Sequence, residues 1–268
     1  MALIQMKFYS PSLQTKTNLN LLVPTPESTL TGTQETFADC RKMGPLPVLY
    51  LLHGTSGDEG DWLRFSRIED YARKYRLLVA MPSCENSCYR DTPAGKAYYT
   101  YVTKELPQFL GWLLPVSEKR EDTYIAGLSM GGSGAFMLGM SRPSQYGYVA
   151  CLSGGFNLPE KVEAEPKNRW SWAFGPDETL IGTRDDAFWL SSRLVEEKAD
   201  YPELYLCCGT EDFLYEKNCE LKRHLDAIGF RHVYHEQPGA HDWNFWDDEI
   251  RRVLQWLPVK KKDETEYL

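Results

Sequence analysis

The chain has no run of about 18 apolar residues, so no stretch of it reads as a membrane-spanning helix. Its opening residues, MALIQMKFYS, show neither a basic stretch nor a long apolar core, and the expected location is therefore the cytoplasm. Positive charge is scarce: 30 Lys and Arg stand against 38 Asp and Glu, a net charge of −8. Lys260-Lys261-Lys262 is a short tail feature with acidic neighbours, and nothing forms the basic stripe that a phosphate backbone demands. Nucleic acid is thus not an expected partner. The seven cysteines are odd in number and scattered, which is no disulfide framework and suits reduced thiols. Cys84 and Cys88 form a close pair, but no second pair or nearby histidine completes a metal site. No internal repeat or low-complexity tract is present, and no Gly-rich segment is followed by the lysine of a phosphate loop.

What the chain does have is enough apolar material for a substantial core: 268 residues, 42% hydrophobic and 13% aromatic. We read residues 1–268 as a single domain. Strand-like segments at residues 7–10 and 15–23 flank Pro11-Ser12 and predict an antiparallel edge hairpin. Residues 24–45, rich in Pro and Gly, predict a surface loop. Thereafter apolar runs alternate with helical periods. Residues 46–52, 76–82, 123–128, 148–153, 204–208 and 233–237 read as strands, the early ones as strands buried on both faces. Residues 62–75, 98–114, 214–228 and the closing segment from Trp246 to Leu257 read as helices, with Pro107 predicting a kink in the second.

The chain is organised around residues 123–134, where an alternating run ends in Gly127-Leu128-Ser129-Met130-Gly131 and turns helical. A turn that holds Ser129 cramped, with its hydroxyl projecting, needs almost no side chain two positions before and two after. The Met130 N–H, at the start of the following helix, is then free to meet a developing oxyanion. The strand at residues 46–52 runs into His53-Gly54-Thr55-Ser56-Gly57, and the Thr55 N–H is the candidate second donor. His53 precedes the serine in the chain and reads as a brace for that loop.

A serine hydroxyl is a weak nucleophile and needs a base, which needs an orienting carboxylate. Both are offered in loops after later strands: Glu211 and Asp212 after residues 204–208, and His241 in the Gly-rich loop after residues 233–237. His224 falls in a helix, and His232 and His235 flank or lie in the last strand, so His241 is the candidate base. Asp242 reads as a solvated or helix-capping residue.

VLYLLHGTSGDEGDWLR, YYTYVTKELP, GLSMGGSG, CGTEDFLYE and GAHDWNFW, in this order, resemble the esterase D family of α/β-hydrolases, and most closely its bacterial tributyrin and feruloyl (cinnamoyl) esterases. The resemblance implies a mostly parallel central sheet of eight or nine strands flanked by helices. It implies hydrolysis of short acyl esters (acetyl, butyryl, also feruloyl) without metal or organic cofactor. Carried over by position, it makes Ser129 the nucleophile, Asp212 rather than Glu211 the acid, His241 the base, and the Thr55 and Met130 N–H groups the oxyanion hole. The same scaffold carries S-formylglutathione hydrolases, which typically have a different loop in place of HGTSG, and acyltransferases; a binding protein that merely keeps the fold is the reading from another class.

Residues 155–189 interrupt the alternation with Trp170, Trp172, Phe174, Phe188 and Trp189 among polar residues. At the carboxyl edge of a parallel sheet, such a segment is expected to cap the acyl pocket, with Trp170 and Trp172 touching substrate; packing on the sheet edge or at a homo-oligomer contact is the other reading.

Overall fold

The computed structural model describes residues 1–26, 36–42, 44–156, 173–174 and 180–259. Among these, eight strands form one sheet: β1 (Ala2–Ser10), β2 (Thr15–Val23), β3 (Val48–Leu52), β4 (Leu78–Pro82), β5 (Thr123–Leu128), β6 (Tyr148–Leu152), β7 (Glu203–Gly209) and β8 (Val233–Gln237). Their order across the sheet is β1-β2-β4-β3-β5-β6-β7-β8. The β1/β2 and β2/β4 pairs are antiparallel and the rest parallel, which puts the loops after β3, β5, β6, β7 and β8 along one edge.

The sheet is covered on both faces, which is why β3, β4 and β5 are buried at every position. Tyr50, Leu52 and Ile125 belong to one core with Tyr101, Leu106, Phe136 and Leu221. Leu49, Leu51 and Tyr124 belong to the other, with Trp62, Tyr71, Ile250 and Leu254. Truncating a fully buried leucine such as Leu51 to Ala is the kind of change that costs roughly 2–5 kcal/mol.

The α-helices among the described residues are α1 (Phe37–Lys42), α2 (Asp61–Phe65), α3 (Ile68–Arg73), α4 (Tyr98–Thr100), α5 (Leu106–Leu113), α6 (Met130–Ser141), α7 (Ala187–Glu196), α8 (Tyr215–Ala227) and α9 (Trp243–Trp256). They depart from the sequence reading in four places, each for a local reason. Helix α1 lies inside the expected loop because Thr36 and Asp39 cap each other reciprocally, Asp39 N–H to Thr36 Oγ1 at 3.2 Å and Thr36 N–H to Asp39 Oδ2 at 3.1 Å. The single helix expected over residues 62–75 is two, α2 and α3. Ser66 turns extended between them, its hydroxyl donating back to Trp62 O at 2.5 Å and accepting from Ile68 N–H at 3.2 Å. In place of a simple kink before Pro107, a π-helical turn (Tyr101–Glu105) joins α4 to α5 and widens the turn whose Thr103 carbonyl the proline ring would crowd. Helix α7 was not expected at all; Asp186 caps it by accepting from Phe188 N–H and Trp189 N–H, both at 3.1 Å.

Candidate active site

Ser129 is the residue between β5 and α6, at φ 53° and ψ −118°. A side chain other than glycine is costly in that region, and such strain concentrates at functional sites. The turn is also too tight for its neighbours to carry side chains. A Cβ on Gly131 would stand 2.6 Å from both the His53 and Leu52 carbonyl oxygens, and one on Gly127 would strike the backbone of Gly131. The Gly-x-Ser-x-Gly spacing is thus enforced by backbone contact with β3.

Three loops converge on Ser129. The loop after β8 carries His241, whose Nε2 lies 2.9 Å from Ser129 Oγ. The loop after β7 carries Asp212, whose Oδ2 lies 2.8 Å from His241 Nδ1. A carboxylate accepts only, so Nδ1 bears the proton, and Nε2 is left to accept from the serine hydroxyl. The Asp212 side chain is fully buried. Burial by itself would raise its pKa, but hydrogen bonds from His241, the Leu214 N–H and the Ser153 hydroxyl outweigh that and hold the carboxyl below its ordinary value. The Leu214 N–H reaches Asp212 Oδ1 at 2.8 Å.

Glu211, the competing acid, turns away. Its carboxylate accepts from the Gly239 N–H and, at 2.9 Å, from the Thr210 hydroxyl, tying the β7 loop to the β8 loop; these bonds, the Gly239 one foremost, lower its pKa. Asp242 caps α9, accepting from Asn244 N–H at 3.0 Å and Phe245 N–H at 3.2 Å. The other histidines are engaged away from Ser129. His224 Nε2 is 3.0 Å from Phe188 O, His232 Nδ1 is 2.8 Å from Phe230 O, and His235 faces buried Glu249 at 3.0 Å.

The loop after β3 brings Thr55 to the wall of the same cavity as Ser129 and Met130. Met130 begins α6, so its N–H has no acceptor within the helix. His53 braces the Thr55 loop from beneath: Nδ1–H donates to Gly54 O at 2.8 Å, Nε2 accepts from Cys84 N–H at 3.0 Å, and Tyr89 Oη donates to His53 O at 2.7 Å. Burial depresses its pKa, which suits a neutral imidazole with one donor and one acceptor nitrogen.

The cavity has a volume of about 400 Å³. Met130, Met137 and Leu214 are among its apolar lining residues, with Phe213 and Trp243 beside His241. Of the aromatic residues at 155–189, Phe174 is buried under the Arg90 guanidinium, 4.4 Å from its ring, while Phe188 and Trp189 pack from α7 onto the core. None of these three lines the cavity, and Trp170 and Trp172 lie outside the described residues. Sequence reasoning missed Phe213, whose exposed ring is centred 4.5 Å from that of His241, and Trp246, edge-on to the same imidazole at 4.8 Å. Trp246 was legible only as a core residue of α9.

The Esterase family model matches residues 35–257. The acetyl esterase of Caldicellulosiruptor saccharolyticus is 33% identical over 267 residues, covering 96% of this chain and 98% of its own. Among solved structures, the substrate-bound fluorophosphonate-binding serine hydrolase F of Staphylococcus aureus aligns with a TM-score of 0.83 at 30% identity, covering 96% of this chain and 98% of that one. An S-formylglutathione hydrolase of the same organism, as apoenzyme, aligns at 0.81 and 30% identity with the same coverage.

Proposed function

This chain belongs to the Esterase family of α/β-hydrolases and is a serine carboxylesterase; we propose that it acts on short-chain acyl esters, acetyl and butyryl foremost, through an acyl-enzyme on Ser129. Ser129 Oγ attacks the ester carbonyl carbon while its proton passes to His241 Nε2. Asp212 keeps the imidazole in the tautomer that can accept and steadies the imidazolium that forms. The tetrahedral oxyanion lies between the Thr55 and Met130 N–H groups, where the dipole of α6 favours negative charge. Collapse expels the alcohol, which takes the proton from His241. A water molecule, deprotonated by His241, then attacks the acyl-enzyme by the same route and releases the acid.

The single observation that supports this reading most is the unbroken path Ser129–His241–Asp212, at 2.9 and 2.8 Å, on the wall of one cavity. The size of that cavity sits near the lower end for small-molecule sites, which favours short acyl groups, and flexible methionines can adapt to two or four carbons. The cytoplasm is the proposed location, in keeping with seven cysteines that form no disulfide, five of them buried.

A hydrolysis panel of acetyl, butyryl, octanoyl and feruloyl esters tests the proposal. The expected order of kcat/KM is acetyl or butyryl first, with octanoyl and feruloyl lower; an octanoyl ester turned over fastest contradicts it. The likeness to an S-formylglutathione hydrolase favours one second reading, a thioesterase, and S-formylglutathione hydrolysed faster than any oxygen ester would establish it. Trp170→Ala and Trp172→Ala belong in the same panel. If residues 155–189 cap the acyl site, these variants change the acyl preference by a factor of about ten for each ~1.4 kcal/mol of differential binding. Loss of thermal stability alone assigns the two tryptophans to packing.

A further inference from the structure

We propose that Tyr89, in the loop after β4, is a positioning residue for the oxyanion hole, acting through the His53 carbonyl on one side and the first turns of α6 on the other. The inference rests on the reading of the Thr55 and Met130 N–H groups as the hole and adds the side chain that holds them in register.

The direction of the Thr55 N–H follows from the peptide it belongs to. In a trans peptide the carbonyl and the N–H point opposite ways, so whatever holds Gly54 O aims the Thr55 N–H. Gly54 O lies 2.8 Å from His53 Nδ1 and accepts from Gly57 N–H at 3.2 Å, which turns the Thr55 N–H away from the buried imidazole. The preceding peptide needs the same control, because a rotation there swings the next plane with it. Its carbonyl, His53 O, accepts from Tyr89 Oη at 2.7 Å. Burial pushes the Tyr89 phenol well above its ordinary pKa, so the hydroxyl keeps its proton and stays a donor.

The same carbonyl and the same ring meet the other half of the hole. Met130 opens α6, and Gly131 beside it packs so closely on His53 O that a Cβ there would stand 2.6 Å away. One turn on from Met130, Gly134 lies against the Tyr89 ring, where a Cβ would stand 2.4 Å from Cδ2. Tyr89 thus holds the Thr55 loop with its hydroxyl and packs on α6 with its ring. One side chain spans the two elements that carry the donors, and an oxyanion site works only when both donors are in place before the charge develops.

Tyr89 is itself held firmly. Cys88 and Tyr89 have positive φ, 49° and 57°, a conformation that side chains of this size keep only where their surroundings enforce it. Tyr89 N–H donates to the Oγ of buried Ser87 and Arg90 N–H to Ser87 O, both at 3.1 Å. Arg90 is anchored in turn by Asp185, Nη2 to Oδ2 at 3.0 Å with both side chains buried. Packing alone would be satisfied by a relaxed backbone and a phenylalanine. Here a strained backbone is kept, and it delivers a hydroxyl to one carbonyl.

Tyr89→Phe is the informative variant, because it keeps the ring on Gly134 and deletes only the donor. With p-nitrophenyl acetate, kcat falls roughly ten- to a hundredfold while KM changes little, since a displaced oxyanion donor is missed in the transition state and not in the ground state. Affinity for propyl trifluoromethyl ketone falls with it: Ser129 Oγ adds to the ketone carbon, the proton passes to His241 Nε2, and the ketone oxygen becomes the oxyanion. The acidic limb of the pH–rate profile stays in place, which separates a fault in the hole from one in Asp212 or His241. Should Tyr89→Phe not fold, Ser87→Ala loosens the tyrosine from its loop instead, and kcat and ketone affinity fall together by about threefold. A folded variant with wild-type kcat and ketone affinity, even one of lower thermal stability, overturns the proposal. A crystal structure of the wild-type ketone adduct separates the two readings. An adduct oxygen away from Thr55 and Met130 removes the hole itself, whereas an oxygen between them together with a normal Tyr89→Phe removes only the positioning role.

Discussion

At the scale of single residues, Asp212 carries charge into a buried place, and the sign of its effect on stability follows from its pKa. The folded carboxyl sits below its ordinary value of about 4, so the native state binds that proton less readily than the unfolded chain does. The stabilisation is therefore fully present above about pH 4 and is lost as pH falls through the folded value. Thermal melts of wild type and Asp212→Asn across that interval should converge as the solution becomes more acidic. A stability difference between them that stays constant, or grows, on acidification would mean that the carboxylate is not the stabilised form. The reason Asp212 could be told from Glu211 only by resemblance is visible here too. The two are adjacent acids in one loop, and what separates them is which distant group each meets, the Gly239 backbone N–H for Glu211 and the His241 imidazole for Asp212.

Elements were legible where a periodic pattern met no local competitor. Strands β2, β5 and β8 run over the same residues as the sequence pattern indicated, and β3 and β4 announced themselves as buried apolar runs. Errors came where short-range chemistry overrode the period: the serine that splits α2 from α3, the proline behind the π turn, the reciprocal cap at Thr36 and Asp39. Helix α7 was hidden for a different reason. Its aromatic residues were counted as part of the insertion, although Asp186, directly before Ala187, is a helix-start signal. Removing that cap with Asp186→Ala should cost about 1 kcal/mol of stability, read as a lower denaturation midpoint. The kcat/KM for acetyl esters should not change, because α7 contributes no residue to the cavity beside Ser129. A fall in kcat/KM without loss of stability would place α7 in the site after all.

For the whole molecule, chain order carried the strongest message. Serine, acid and histidine occur in that sequence, each in a loop after a strand, and a parallel sheet brings such loops to one edge whatever their separation along the chain. Ser129 and His241 are 112 positions apart yet within hydrogen-bond distance. What chain order does not reveal is the packing around that site: Trp246 stands edge-on to the His241 imidazole and donates its indole N–H to Ser153, 93 positions away. The central claim is covalent, an acyl group carried on Ser129, and it is tested most directly by catching that intermediate. The protein is mixed with p-nitrophenyl butyrate, quenched in acid within the first turnovers, digested and weighed by mass spectrometry. The account predicts one butyryl group on the peptide containing Ser129 in the wild type and none in Ser129→Ala; a butyryl group on any other residue, or turnover by Ser129→Ala at the wild-type rate, contradicts it.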